Sequence, residues 1–162
     1  MLFSCLPMQR ADMGRAFEIE RACFAEPWSR AMFEGEFLHE YSRALLLRME
    51  GGSQTEIIGY LFFHLVADEM HVLKITVSPE HRRCGGAGQL MKAGMSAAVK
   101  QGAAMAFLEV RRSNAAAFLF YESLGFERVG IRPAYYKNPG TEDAIIMRKT
   151  LQGGNHGFTD WD

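Results

Sequence analysis

The period of the hydrophobic positions changes several times along the chain, and each change marks an element. Phe3 to Pro7 fits a short opening strand. From Asp12 the spacing of Met13, Phe17, Ile19 and Phe24 fits one face of an amphipathic helix, with Asp12 as its cap. Ala25-Glu26-Pro27-Trp28 breaks that pattern, and Ser29 caps a second helix carrying Phe33, Phe37 and Leu38. Three strand runs follow, Ala44 to Met49, Ile57 to Val66 and Met70 to Val77. Their links, 50–55 and 67–69, are short and polar, which makes the strands antiparallel neighbours. After Pro79 the period is helical again, with Leu90, Met91, Met95 and Ala98 on one face and an end at Gly102. Met105 to Val110 reads as a buried strand and Asn114 to Leu124 as a helix closed by Gly125. Glu127 to Ile131 and Ala144 to Thr150 are the last strands. The predicted order is βααβββαβαββ, an α/β fold with a mixed, mostly antiparallel sheet and helices on both faces. The strand–helix–strand unit between 70 and 110 needs a crossover, so its two strands pair in parallel.

Length and composition add bounds to this picture. A chain of 162 residues fits one domain with a sizeable core. We expect residues 1–151 to form that domain and 152–162, with three glycines from Gly153 on, to be a flexible tail. Phe158 and Trp161 are the tail's candidates for docking. A formal net charge of −1 gives no global attraction to nucleic acid or anionic membrane, so any basic contact is local. Three cysteines, at 5, 23 and 84, form no Cys-x-x-Cys and no metal spacing, which reads as reduced thiols. Neither a signal peptide nor an apolar run of about 18 residues is present, so a cytoplasmic protein with no membrane partner is expected. The histidines at 39, 64, 71, 81 and 156 have no ligand spacing, and His39-Glu40 lacks a second histidine; no metal is expected.

The most informative stretch is Arg82-Arg83-Cys84-Gly85-Gly86-Ala87-Gly88, which follows a strand and opens a helix. Free N–H groups at a helix start, with the helix dipole, attract an anion, and glycines let the backbone approach it. Arg82 and Arg83 add charge at the mouth. A glycine-rich turn flanked by two solvated arginines fits the composition equally well. The sequence has no Gly-Lys-Ser/Thr of a P-loop and no Gly-x-Gly-x-x-Gly of a dinucleotide fold.

Arg82-Arg83-Cys84-Gly85-Gly86-Ala87 matches the Arg/Gln-x-x-Gly-x-Gly/Ala signature of the GNAT acetyltransferase superfamily. Further blocks resemble its RimI branch, bacterial enzymes that acetylate the N-terminal alanine of a small-subunit ribosomal protein. These are Phe24 to Ser29, Leu108 to Arg111, Ser113 to Ala117, Tyr121 to Phe126, Tyr135-Tyr136 and Glu142 to Met147. The resemblance runs to about Leu151. It implies the GNAT fold and acetyl-CoA as co-substrate. The backbone of Ile75, Thr76 and Val77 would then bind the pantetheine arm. Amides of Arg83, Cys84, Gly85, Gly86, Ala87 and Gly88, helped by Arg82, would hold the pyrophosphate. Asn114 matches a cofactor-contacting residue and reads equally as a helix N-cap. Cys84 and Gly86 stand where a polar and a larger residue are more usual, implying a more flexible loop.

Amine acetylation needs a deprotonated amine, a polarised carbonyl and a protonated leaving thiolate. A protein α-amine, with a pKa of about 7.7–8.0, needs only a modest base. Glu109 closes an otherwise apolar strand, where a partly desolvated carboxylate gains base strength. By spacing alone it reads as the ion-pair partner of Arg111 or Arg112; the resemblance makes it the general base, directly or through water. Tyr121 reads by periodicity as a core aromatic, and the resemblance makes it the general acid at the leaving sulfur. Trp28, Tyr135 and Tyr136 would flank a protein N-terminus, and Glu26 and Glu142 could attract its charge. A covalent route through Cys84, activated by His81, is the mechanistic rival. A small-molecule amine as acceptor, or a non-catalytic acetyl-CoA-binding module, would share the cofactor features.

Overall fold

A computed structural model describes residues 2–151. Met1 and the stretch 152–162, with Phe158 and Trp161, lie outside the described residues. Every element expected from periodicity is present and in the expected order. They are β1 (Leu2–Pro7), α1 (Met13–Cys23), α2 (Arg30–Glu36), β2 (Ser42–Gly51), β3 (Gln54–Val66), β4 (Glu69–Val77), α3 (Gly86–Lys100), β5 (Met105–Arg111), α4 (Ala115–Ser123), β6 (Glu127–Tyr136) and β7 (Glu142–Thr150). The strands form one seven-stranded sheet in the order β1-β2-β3-β4-β5-β7-β6. Only β4 and β5 pair in parallel, as the crossover through α3 requires.

The central strand β3 shows why the sheet is covered on both faces. Tyr60 and Phe62 are buried with Ala16 and Ile19 of α1 and Phe33 of α2. Leu61 and Phe63 are buried with Leu90, Met91 and Ala98 of α3. Alternation along a strand demands two cores, and each fully buried large side chain contributes about 1.5–3 kcal/mol. Against β2 the register of β3 slips at Ile58, which faces α3's core although Tyr60, two residues on, faces the other. The extra residue of a β-bulge restores both patterns.

Four expectations shift at element ends. Asp12 does not cap α1 with its side chain; it ends a single 3-10 turn, accepts from Gln9 N–H at 2.8 Å and pairs with Arg48. Phe24 lies past the helix in extended backbone, because it covers a site between α1 and β4 rather than a helix face. Ser29 does cap α2, accepting from Met32 N–H at 3.1 Å, but Phe37 and Leu38 fall beyond its end and Leu38 is 71% exposed. β6 runs to Tyr136 rather than Ile131. Gly130 and Pro133 hid the extension, and Pro133 is tolerated because β6 is the sheet's edge.

Candidate active site

The site begins where two strands part. β4 and β5 pair only from Glu69–His71 to Met105–Phe107. From Val72 onward β4 keeps β3 on one side and, among the described residues, has no strand on the other, so its edge amides and carbonyls are open to a ligand. A bulge at Leu73, set by the register shift against Phe62 and Phe63, bends β4 at this point. Residues before and after the bend line two different grooves.

The first groove, about 400 Å³, is lined by Ile75, Thr76, Val77, Arg82, Arg83, Gly85, Gly86, Ala87 and Gly88. All but two of the expected cofactor residues are thus together, joined by Cys23, Phe24, His81 and Phe120. Gly85 precedes α3 with φ at +83°, and Arg83 is also left-handed at +61°. Such turns aim successive amides to one side, and glycine takes the conformation without strain. Gly86 is buried: a Cβ there would lie 2.5 Å from Leu47 Cδ2, so glycine lets the helix start press onto β2. Its smallness serves packing rather than the looseness expected from the sequence. Arg82 Nε donates to Val77 O at 3.3 Å, tying the loop to the strand end.

Two expected cofactor residues stand apart. Asn114 is the N-cap of α4, its side chain accepting from Ala117 N–H at 3.1 Å, and it does not line the groove. Cys84 is exposed and points back to Arg82 O. The thiol that does reach the groove is Cys23, contacting Val77 O at 3.5 Å. His81 Nδ1 is engaged with Ser78 Oγ at 2.9 Å. His81 also meets Glu56 and Glu80, with one ligand atom from each within 4.8 Å, a grouping that sequence spacing did not reveal; Glu56 is already paired with Arg15.

The second groove, about 470 Å³, is lined by Trp28, His71, Val72, Leu73, Phe107, Leu108, Glu109, Arg132, Tyr135, Tyr136 and Ile146. Glu109, 24% exposed, pairs with Arg132 Nε at 2.8 Å, not with Arg111 or Arg112. Those two bind Glu142 and Asp143 instead. The partner was invisible in the sequence because β6 reaches β5 only across β7. Tyr135 leans on the same carboxylate: its hydrogen bond with Glu109, then burial, push the phenol up. Tyr136 stacks against the Arg111 guanidinium at 4.1 Å. The two tyrosines are aimed by an irregularity in β6, where Ala134 is left-handed at +51° and its N–H donates to Asp143 at 2.9 Å.

Tyr121 lines neither groove's wall but packs on Phe120 at one side and Phe126 at the other. Burial, with Tyr136 close by, pushes its phenol up to about 12. A phenol so placed stays protonated at neutral pH and can donate. Glu142 is committed to Ser113 and Arg111, hydrogen bonds with Ser113 holding it below the usual carboxylate range, and it lines no groove. Glu26 is exposed and lines none either. Neither is part of the pockets, contrary to expectation.

A third constellation was missed in the sequence. Glu20 of α1 is fully buried and accepts from Tyr60 OH, Lys74 Nζ and Trp28 N–H. Lys74 Nζ lies 4.1 Å from the Phe24 ring centre and 4.5 Å from that of Trp28. Glu20 shares α1's buried face with Met13 and Ala16, and Lys74 interrupts an apolar strand. A lone charge on an apolar face was the available signal.

Parting parallel strands, with an amide-rich loop opening the helix after the first of them, define an α/β fold with a cleft fit for an anionic ligand. Residues 13–126 match the acetyltransferase (GNAT) family, and the chain belongs to it. Within that family the chain is similar to the [ribosomal protein bS18]-alanine N-acetyltransferase of Escherichia coli K12, 35% identical over 141 residues, covering 86% of this chain and 92% of the relative. The crystal structure of the ribosomal-protein-S18-alanine N-acetyltransferase from Escherichia coli superposes with a TM-score of 0.83 and 33% identity, over 93% of this chain and 94% of that one. Arabidopsis thaliana NAA60 in complex with acetyl-CoA shares the fold, with a TM-score of 0.82 and 16% identity, over 92% of this chain and 98% of that one. The RimI resemblance read from the sequence blocks therefore holds across the chain. The protein is an N-acetyltransferase, and acetyltransferases of this family use acetyl-CoA as co-substrate. No helix among the described residues is long and apolar enough to cross a membrane.

Proposed function

We propose that the chain transfers acetyl from acetyl-CoA to the N-terminal α-amine of a protein, with the alanine at the start of ribosomal protein bS18 as acceptor. The observation that carries this reading is the second groove: it follows the open edge of β4, has Trp28, Tyr135 and Tyr136 as walls and holds Glu109. An open strand edge suits an extended peptide better than a compact amine. The relatives' activity points the same way.

The free edge at Ile75 to Val77 binds the pantetheine arm, and the amides from Arg83 to Gly88, with the Arg82 side chain, hold the pyrophosphate. Cys84 contributes its N–H only, and Asn114 acts by fixing the start of α4. Glu109 takes a proton from the attacking α-ammonium, directly or through a water. The neutral amine attacks the thioester carbonyl in a ternary complex. As the C–S bond breaks Tyr121 protonates the departing thiolate, and the surplus proton left on the new amide nitrogen restores the Tyr121 phenol, directly or through water. Exposure of Cys84 and its turn toward Arg82 count against an acetyl-cysteine. Residues 1–151 act as one domain, and a ribosomal-protein acceptor places the work in the cytoplasm, without a metal. Incubation with acetyl-CoA and a panel of N-terminal peptides and small amines tests the reading. Peptides that begin with alanine become acetylated at the α-amine; acetylation of small amines alone rejects it.

A further inference from the structure

We propose that the buried pair of Glu20 and Lys74 is a positioning device for the acceptor, holding the segment 24–28 over β4 where the two grooves meet. The inference rests on the acceptor groove proposed above. Its first support is the place of Lys74 in β4. Val72 and Leu73 line the acceptor groove, Ile75 to Val77 line the cofactor groove, and Lys74 is the residue of changeover, next to the Leu73 bulge. The groups that react must meet at this changeover.

The second support is what the pair holds. Lys74 Nζ faces the rings of both Phe24 and Trp28. Phe24 is a wall of the cofactor groove and Trp28 a wall of the acceptor groove. Glu20 accepts the Trp28 N–H at 2.8 Å. One buried carboxylate and one ammonium thus fix both ends of the same short segment, by a charge-assisted hydrogen bond at the backbone and cation–π contacts at the rings. Tyr60 OH takes up a further acceptor site on Glu20 and ties the set to β3.

The third support is energetic. Glu20 is fully buried, and the Lys74 side chain is 13% exposed. Desolvation of such a pair offsets its attraction, and apolar residues of equal volume commonly hold a fold as well. Burial favours the neutral amine at Lys74 and pulls its pKa down, while the bond to Glu20 opposes this. Stability alone therefore does not account for the arrangement, whereas the geometry of 24–28 does.

The test removes both charges together in Glu20→Gln/Lys74→Met, so neither is left buried alone. Trp161→Phe as background makes Trp28 the only tryptophan. Michaelis constants are measured for whichever acceptor, peptide or small amine, the unaltered enzyme turns over, so a wrong acceptor class shows in the unaltered enzyme and leaves this test standing. We expect the acceptor KM to rise about tenfold, as loss of a fixed groove wall misplaces the acceptor. The kcat should stay within about twofold, and acrylamide should quench Trp28 emission more readily. Acetyl-CoA affinity should weaken less than the acceptor KM rises, because Phe24 is one wall of a groove otherwise built mostly from β4 and the loop before α3. If the double variant fails to fold, Lys74→Gln, which keeps an N–H donor for Glu20, carries the same expectation. An unchanged acceptor KM, or a raised KM accompanied by kcat and acetyl-CoA affinity that fall by the same factor as thermal stability declines, overturns the proposal.

Discussion

Tyr121 carries the sharpest single-residue expectations. Its hydroxyl is the one polar atom of a ring otherwise packed among Phe120 and Phe126, so Tyr121→Phe preserves the packing and removes only the proton donor. Loss of a general acid costs about 10²- to 10⁴-fold in kcat. Steady-state kinetics should show that loss while calorimetry finds acetyl-CoA affinity within about twofold. The same hydroxyl has a thermodynamic signature. With the phenol raised from an ordinary 10.0 to about 12, the folded state keeps a proton that the unfolded chain has lost. Its contribution is complete below pH 10 and fades as pH rises toward 12. Denaturant unfolding should therefore show the unaltered protein losing stability faster over that window than Tyr121→Phe, whereas parallel pH curves would contradict the burial. Glu109 teaches a different lesson. Its place on an otherwise apolar strand was readable from sequence, but its partner Arg132 was not, since the pair crosses β7.

At the scale of elements, the loop before α3 and the core under α2 separate binding from folding. Gly85 at φ +83° is exposed and turns the chain into the helix. An alanine in left-handed backbone costs about 1–2 kcal/mol, and an exposed loop relaxes out of shape rather than keep that strain. Gly85→Ala should weaken acetyl-CoA binding by about five- to thirtyfold with little change in unfolding free energy, as titration calorimetry and denaturation can show. Phe33 behaves in the opposite way. It is 1% exposed and packs edge-on against Tyr60 and Phe62 at 5.5 and 5.0 Å. Phe33→Ala should cost about 3–5 kcal/mol in chemical denaturation. The elements could be read from periodicity because their apolar positions recur at regular spacing, as in β5, where Ala106, Leu108 and Val110 are buried at every second position. What escaped were features that obey no period: the Ile58 and Leu73 bulges, and the far half of β6 with its Pro133.

At the scale of the whole molecule, function comes from where the sheet stops pairing. Pairing of β4 with β5 ends at His71 and Phe107, and both grooves open beyond that point. The sequence made the first groove legible because most of its residues fall in one stretch from Ile75 to Gly88. The second groove draws on residues from 28 to 146, and the buried set of Glu20, Tyr60 and Lys74 spans three elements. Long-range juxtapositions of this kind leave only isolated hints, such as a single charge on an apolar face. The proposed reaction is acetyl transfer to a protein α-amine lying against the open edge of β4. Its most direct measurement is tandem mass spectrometry of a peptide carrying the alanine N-terminus of bS18 and an internal lysine, after incubation with acetyl-CoA and this protein. We predict acetyl on the α-amine, lost when Glu109 is changed to Gln; acetyl on the lysine alone, or an unmodified peptide beside acetylated small amines, would contradict it.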